Sequence, residues 1–361
     1  MRVLERLFDR LRPTFDKGRL ARARPLFDAI NNFFFGPKTV ARVAPHVRDP
    51  LNVKRYMTMA IVGIAPAALA GIYFFGLRVV AMILVSYIVG GAVEVLFAIV
   101  RKEEINEGFL VTGLIFPLIL PPALPLWMVA VGVAFGVIVG KEVFGGTGRN
   151  PFNPALVGRC FLAIGYSKAM TSAWIEPGGG WIGRATEYVG ADVVSSATPL
   201  VLAKQGEFAP LANLFWGNVT GCVGETSAAV ILAGGLFLIL MRVANWRTVA
   251  ATLGSFALLG LLLGSLVPEH FGPVGWPRWG WHMLAGGLLF GAFFMATDPV
   301  TSPITNGGKW VYGVLIGGLT LLIRSLTGYV EGVMFAILLA NIAAPTIDEA
   351  VARWRVRKLG K

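Results

Sequence analysis

Gly113-Leu114-Ile115-Phe116 is an apolar run that ends at the proline cluster Pro121-Pro122-Ala123-Leu124-Pro125, and far downstream Gly287-Leu288-Leu289-Phe290 runs into Thr297-Asp298-Pro299 in the same way. An apolar span headed by Trp127 then matches one headed by Trp310, and Asn153-Pro154-Ala155 matches Asn341-Ile342-Ala343. Interrupted apolar segments at corresponding places in two halves point to an inverted-repeat membrane fold with a site between the halves. Backbone breaks at membrane depth are tolerated where protein or a wet cavity covers them, so a pore or binding cleft is expected there.

Composition supports a membrane setting. Of 361 residues, 55% are hydrophobic and 14% charged, against roughly 25% charged in an ordinary soluble domain. Apolar segments are expected at about 56–76, 79–100, 108–120, 124–140, 154–164, 227–241, 249–267, 281–296, 311–322 and 330–344. The expected fold class is therefore an all-α polytopic membrane protein, about ten transmembrane helices in two inverted repeats with broken or half helices. Residues 56–348 form its membrane domain, between a basic arm (1–55) and a basic tail (349–361).

The formal net charge of +12 would suggest nucleic acid in a soluble chain. Here the basic residues gather at the ends and in short loops, where they read as topology signals, and no nucleic-acid partner is expected. Both termini, with the loops holding Arg101-Lys102, Lys141–Arg149 and Arg242–Arg247, are expected on the cytoplasmic side. In the arm, Leu26-Phe27 and Phe33-Phe34-Phe35 fit either an interfacial helix against lipid or a disordered basic segment. The first 50 residues lack an apolar h-region, so no cleavable signal peptide is expected. Cys160 and Cys222 belong to no CxxC or Cys/His pattern, which argues against a disulfide framework or a zinc site. His46, His270 and His282 show no metal-ligand spacing.

One long polar loop, about 167–213, falls on the outer side and holds Asp192-Val193-Val194-Ser195-Ser196-Ala197-Thr198-Pro199-Leu200. Pro199 biases Thr198 toward an extended backbone. The stretch reads either as a Ser/Thr-rich turn or as a hydroxyl awaiting covalent attachment. Ionisable groups inside apolar spans are functional candidates by default: Glu94, Glu107, Glu225, Asp298 and Asp348. Helix-end capping is the competing reading for Glu107 and Asp298. Carboxylates with freed carbonyls suit a hard monovalent cation. Phe290 and Phe294, at i and i+4, fit ordinary packing or a hydrophobic constriction. The run from Lys141 to Pro154, KEVFGGTGRNPFNP, combines glycines that permit close backbone approach with Asn150 and Asn153, whose amides could bond a planar polar ligand. A turn between spans is the alternative.

The runs HVRDPLNVKRYMTM from His46, VGGAVEVLFAIVRKEEINEGF from Val89, PPALPLW, GRNPFNPALVGR, GNVTGCVGETS, FFMATDPVTSPITNGGKW and EGVMFAILLANIAAPTIDEAV cover nearly the whole chain. In them the chain resembles the family of B subunits of the sodium-translocating NADH:quinone oxidoreductase, a respiratory pump of the bacterial inner membrane. The resemblance implies an FMN joined by phosphoester to Thr198 in a Ser-x-Ala-Thr motif that opens with Ser195. It implies riboflavin held at Asn150 and Asn153, and ubiquinone near Gly90, Gly91 and Glu94. Sodium uptake falls to Asp348, with Phe290, Phe294 and Asp298 along the ion path. The other pump subunits are the implied partners and must supply the electrons, because no dinucleotide-binding fingerprint is present.

Two departures stand out. The family's usual Gly before Ala-Thr is Ser196 here, so Ser would have to match a glycine-like backbone. The first two spans are joined directly through Tyr73–Arg78, where the family often carries an insertion. The sister D subunits of the Rnf ferredoxin:NAD oxidoreductase are equally short there. That sister family and a non-redox inverted-repeat channel or transporter are the alternative readings.

Overall fold

The computed structural model describes residues 13, 24, 27, 53–103, 108–178, 184, 186–188, 196–267, 278–327, 329 and 331–359. Almost all of the basic arm, with its suggested interfacial helix, lies outside them, as do Glu107, Ser195, His46 and His270.

All regular structure among the described residues is helical. In chain order the elements are α1 (Val53–Phe75), α2 (Leu77–Arg101), α3 (Gly108–Leu118), α4 (Leu126–Gly140), α5 (Pro154–Gly165), α6 (Ser167–Ser172), α7 (Pro199–Lys204), α8 (Leu211–Trp216), α9 (Ala228–Leu240), α10 (Trp246–Leu266), α11 (Trp279–Leu284), α12 (Asn306–Leu326) and α13 (Val333–Leu359). Between α11 and α12 a helical turn, Leu288–Phe290, continues into a π-helical turn, Gly291–Met295.

Among the described residues six helices are long and apolar enough to cross a membrane, and the chain is a polytopic membrane protein whose described elements are all helical. Three of the expected spans are short apolar helices instead, with 11 residues in α3, 12 in α5 and 13 in α9. The span expected at 281–296 is broken, through α11, Ala285-Gly286 and the π turn. Gly286 sits at φ +68°, a backbone conformation that disfavours a side chain. The polar loop 167–213 is less irregular than its composition suggests, since it carries α6, α7 and the start of α8. Helix α13 continues through Pro345 to Leu359 and so carries most of the tail.

The same packing pattern occurs twice. In the first half α2 lies on α3 and α4, α4 on α5, α3 on α5, and α1 on α3. In the second half α10 lies on the π turn and α12, α12 on α13, the π turn on α13, and α9 on the broken segment. Each half thus contributes five successive apolar segments, and the odd number reverses the second set wherever each crosses. The halves meet through equivalent elements, α1 on α9 and α5 on α13. The α1–α9 contact is as close as helix backbones allow, for a Cβ on Gly234 would lie 1.9 Å from the Gly63 carbonyl oxygen. Small residues at helix contacts are how membrane helices gain packing when lipid offers no hydrophobic drive.

The symmetry is imperfect where the sequence suggests it most. Asn153 is the N-cap of α5, whereas Asn341 lies inside α13, which begins at Val333, so the two asparagines are not equivalent. The joint between α1 and α2 is one residue, Gly76 at φ +85°, and a Cβ there would lie 2.3 Å from the Glu187 carbonyl oxygen. The neighbouring Leu77 amide donates to that same oxygen at 2.7 Å, so the short joint is capped from the 184–188 region.

Candidate functional site

Two cavities open at opposite ends of α5. The N-terminal residues of α5 line one and its later residues, Arg159 and Ala163, line the other.

The larger cavity, about 480 Å³, is walled by Trp174, the 196–201 segment, Thr220, Tyr329 and the floor residues Arg159, Glu225 and Glu331. That volume falls within the range of sites for ligands of cofactor size. Thr198 stands on its wall. Its backbone is extended, φ −72° and ψ 154°, as the following proline predicts, and although it precedes α7 its side chain makes no capping bond. The hydroxyl is therefore not committed to the helix. Ser196, at the family's glycine position, is not among the positive-φ residues. Its amide donates to the Trp174 carbonyl at 3.1 Å, and its hydroxyl pairs with that of Thr220 at 3.0 Å. The expected strain at residue 196 is absent because the backbone there suits any residue.

The floor of this cavity is charged and buried. The Arg159 guanidinium donates to the Glu331 carboxylate and lies 3.4 Å from Cys222 Sγ. Glu331 Oε1 accepts from the Gly287 amide at 2.6 Å, and Glu225 Oε1 from the Cys222 amide at 3.1 Å. A Cβ on Gly287 would lie 2.3 Å from Glu331 Oε1 and 2.4 Å from Glu225 Oε2, so only glycine admits both carboxylates. Cys222, Glu225 and Glu331 place ligand atoms within 4.8 Å of one another. The guanidinium already engages two of those three residues, so a positive charge that belongs to the protein fills the position a metal would take.

The second cleft, about 80 Å³, lies between α1, α3, α9 and residues 293–300. It gathers Lys141, Thr147, Asn150, Asn153, Phe294 and Asp298. Gly145, Gly146 and Gly148, all at positive φ, turn the chain around Thr147, whose buried hydroxyl has no hydrogen-bond partner. Asn153 Oδ1 caps α5 through the Ala155 amide at 3.0 Å, while its Nδ2 stands 3.5 Å from Asp298 Oδ2 in the other repeat. Asn150 is satisfied within its own loop, by the Gly148 amide at 3.3 Å and the Phe152 carbonyl at 3.0 Å. The polar groups suit a flavin edge. The enclosed space is small for the whole ring, so a ring seated there would lie partly in the open mouth.

Phe290 and Phe294 pack against each other. Their ring centroids are 4.9 Å apart. Phe290 packs beside Gly224, next to the floor residue Glu225, and Phe294 lines the smaller cleft. Phe294 stands in the π-helical turn and Phe290 immediately before it, a local distortion that often marks functional sites.

Of the quinone candidates, Glu94 is buried on α2 with Lys141 Nζ at 2.8 Å, and through Lys141 it borders the smaller cleft. Gly90 packs under the Phe109 ring, which a Cβ would meet at 2.5 Å, and Gly91 has looser contact with the same ring. Asp348 lies off both cavities. Its oxygens accept from the Ile304 amide at 2.6 Å and from the Thr305 amide and hydroxyl at 3.0 and 2.5 Å, bonds that fix the start of α12.

The fold thus brings Asn150, Asn153, Asp298 and Phe294 to one cleft, with Glu94 behind it on Lys141, and Thr198 and Glu225 to the other cavity. No sequence motif marks Arg159 or Glu331 as site residues, and Lys141 and Thr147 stand out only as part of the Lys141–Pro154 run. The first two were legible only as charges within or next to apolar runs, the signal that did mark Glu94.

A two-repeat helical membrane protein with a hydroxyl-bearing cavity on a buried charged floor and a second polar cleft is the class these features define. The chain belongs to the NQR2, RnfD, RnfE family, whose model matches residues 40–357. It is 36% identical to the B subunit of the Na(+)-translocating NADH-quinone reductase of Ectopseudomonas mendocina, over 97% of each chain. To the proteins of the same name from Klebsiella pneumoniae strain 342 and Azotobacter vinelandii it is 36% and 37% identical, over 98% or more of both chains.

Proposed function

We propose that this chain is the membrane subunit of a sodium-pumping NADH:ubiquinone reductase in the bacterial inner membrane, with FMN on Thr198 and riboflavin in the cleft of Asn150 and Asn153. The observation that carries the reading is Thr198 itself, an extended, uncapped threonine on the wall of a cavity of cofactor size. When bound, the two flavins supply the redox chemistry that delivers electrons to ubiquinone.

The protein's own residues position and insulate. Thr198 would hold the phosphate end, with Trp174 and Tyr329 lining the walls. Thr147, Asn150 and Asn153 would present polar edges to the riboflavin, and Glu94 with Lys141 a buried polar pair to the quinone. Sodium would enter near Asp348 and pass between the repeats by Asp298 and the Phe290–Phe294 constriction. Negative charge arriving in a low-dielectric cavity lowers the energy of a nearby cation, which gives the coupling an electrostatic basis. The basic loops around Lys141 and Arg242 support a cytoplasmic position for the smaller cleft.

The test is in-gel flavin fluorescence after denaturing electrophoresis, with the chain expressed beside its partner subunits and the flavin-attaching transferase. A fluorescent wild-type band that is lost in Thr198→Ala supports the reading; a dark wild-type band overturns it in favour of a non-redox channel or transporter. The one-residue joint at Gly76 favours the Rnf-type D subunit as a second reading. Ferredoxin-dependent, quinone-independent flavin turnover in the assembled complex would establish that alternative.

A further inference from the structure

Attachment at Thr198 needs a hydroxyl and space, yet the floor beneath it carries three ionisable groups, Arg159, Glu225 and Glu331. Burying an ion pair costs more than filling the same volume with apolar side chains, so retained charge asks for a reason. Arg159 is 3% exposed and Arg324 5%. Arg324 turns away from the cavity, its two terminal nitrogens bonded to the carbonyls of His282 at 2.7 Å and Ala285 at 3.1 Å. Arg159 lines the cavity itself, and its buried Nε has no hydrogen-bond partner. Glu331 holds it in place from the far repeat while bound to the Gly287 amide. A fully delocalised, always protonated cation is thereby fixed in a low-dielectric pocket that it shares with Thr198.

We propose that Arg159 sets the reduction potential of the flavin carried by Thr198, by stabilising the negative charge that accompanies reduction, and that Glu331 positions it and tempers its charge. The inference rests on the reading of Thr198 given above. It makes Arg159 an electrostatic tuning residue, and it predicts opposite signs for two neighbours in one ion pair. Loss of the cation disfavours the reduced flavin, whereas loss of the carboxylate favours it.

The experiment is an anaerobic redox titration of the purified, assembled complex, with mediator dyes and flavin absorbance as the readout. Subtracting the Thr198→Ala complex isolates the flavin at that residue. Arg159→Gln is expected to weaken reduced-flavin stabilisation about tenfold, a fall of about 59 mV for a one-electron couple. Glu331→Gln is expected to raise the potential by a comparable amount, and Arg159→Lys to stay close to the parent. A merely structural role would move both neutral variants the same way or neither. If Arg159→Gln does not assemble, the rise in Glu331→Gln decides the matter. A fluorescent band at Thr198 with unmoved potentials removes this inference alone, whereas a dark parental band removes the Thr198 reading and this inference with it.

Discussion

Lys141 Nζ lies 2.8 Å from Glu94 Oε1, with side chains only 4% and 7% exposed, and so ties the end of α4 to the middle of α2. The second carboxylate oxygen, Glu94 Oε2, has no hydrogen-bond partner. Removing one member of a buried pair costs about 3–5 kcal/mol, because the other charge stays behind. Lys141→Met is therefore expected to lower the thermal stability of the complex strongly, and Lys141→Met with Glu94→Leu to regain most of it. If Glu94 serves the quinone, the double variant stays deficient in quinone reduction despite its recovered stability. Activity that returned together with stability would leave the pair a purely structural role.

Asp348 satisfies two backbone amides and a hydroxyl at the entrance to α12. Losing these charge-assisted bonds costs about 1.5–3 kcal/mol each at most, shared here among partners that water can reach. Asp348→Asn keeps the shape but not the charge. The expected result is a folded complex whose sodium concentration for half-maximal turnover rises several-fold. An unaltered sodium requirement would restrict Asp348 to anchoring α12.

The Phe290–Phe294 pair offers a test of the ion path. Phe290→Leu removes ring area while keeping an apolar core residue, and the expected cost in stability is about 1–2 kcal/mol. In proteoliposomes the ratio of sodium moved to quinone reduced is expected to fall, since a hydrophobic constriction controls passage by its width. A ratio equal to wild type would mean that the rings only pack.

Gly234→Ala probes the junction between repeats. Its Cβ would sit 1.9 Å from a backbone carbonyl on α1, and backbone cannot swing aside as a side chain can. Overpacking of about 1–3 kcal/mol or more is expected, read as lower thermal stability and poorer assembly. Gly254→Ala, on α10 with nothing within 4 Å of its Cβ, is the control and is expected to be silent.

The amino-acid sequence alone determined which segments are apolar and where they break, because a helix in lipid must satisfy its backbone within itself and the prolines and glycines that interrupt it are local signals. It also determined the extended backbone at Thr198, since Pro199 acts on its immediate neighbour. The tertiary structure alone decided partners. Arg159 and Glu331 stand 172 residues apart and Asn153 and Asp298 145 apart, and nothing local selects either pairing. It likewise decided that Asn341 lies inside a helix, and that Ser196 is unstrained. A buried charge or amide takes whichever group the packed helices bring within reach, and that packing is set by close contacts such as Gly63 against Gly234.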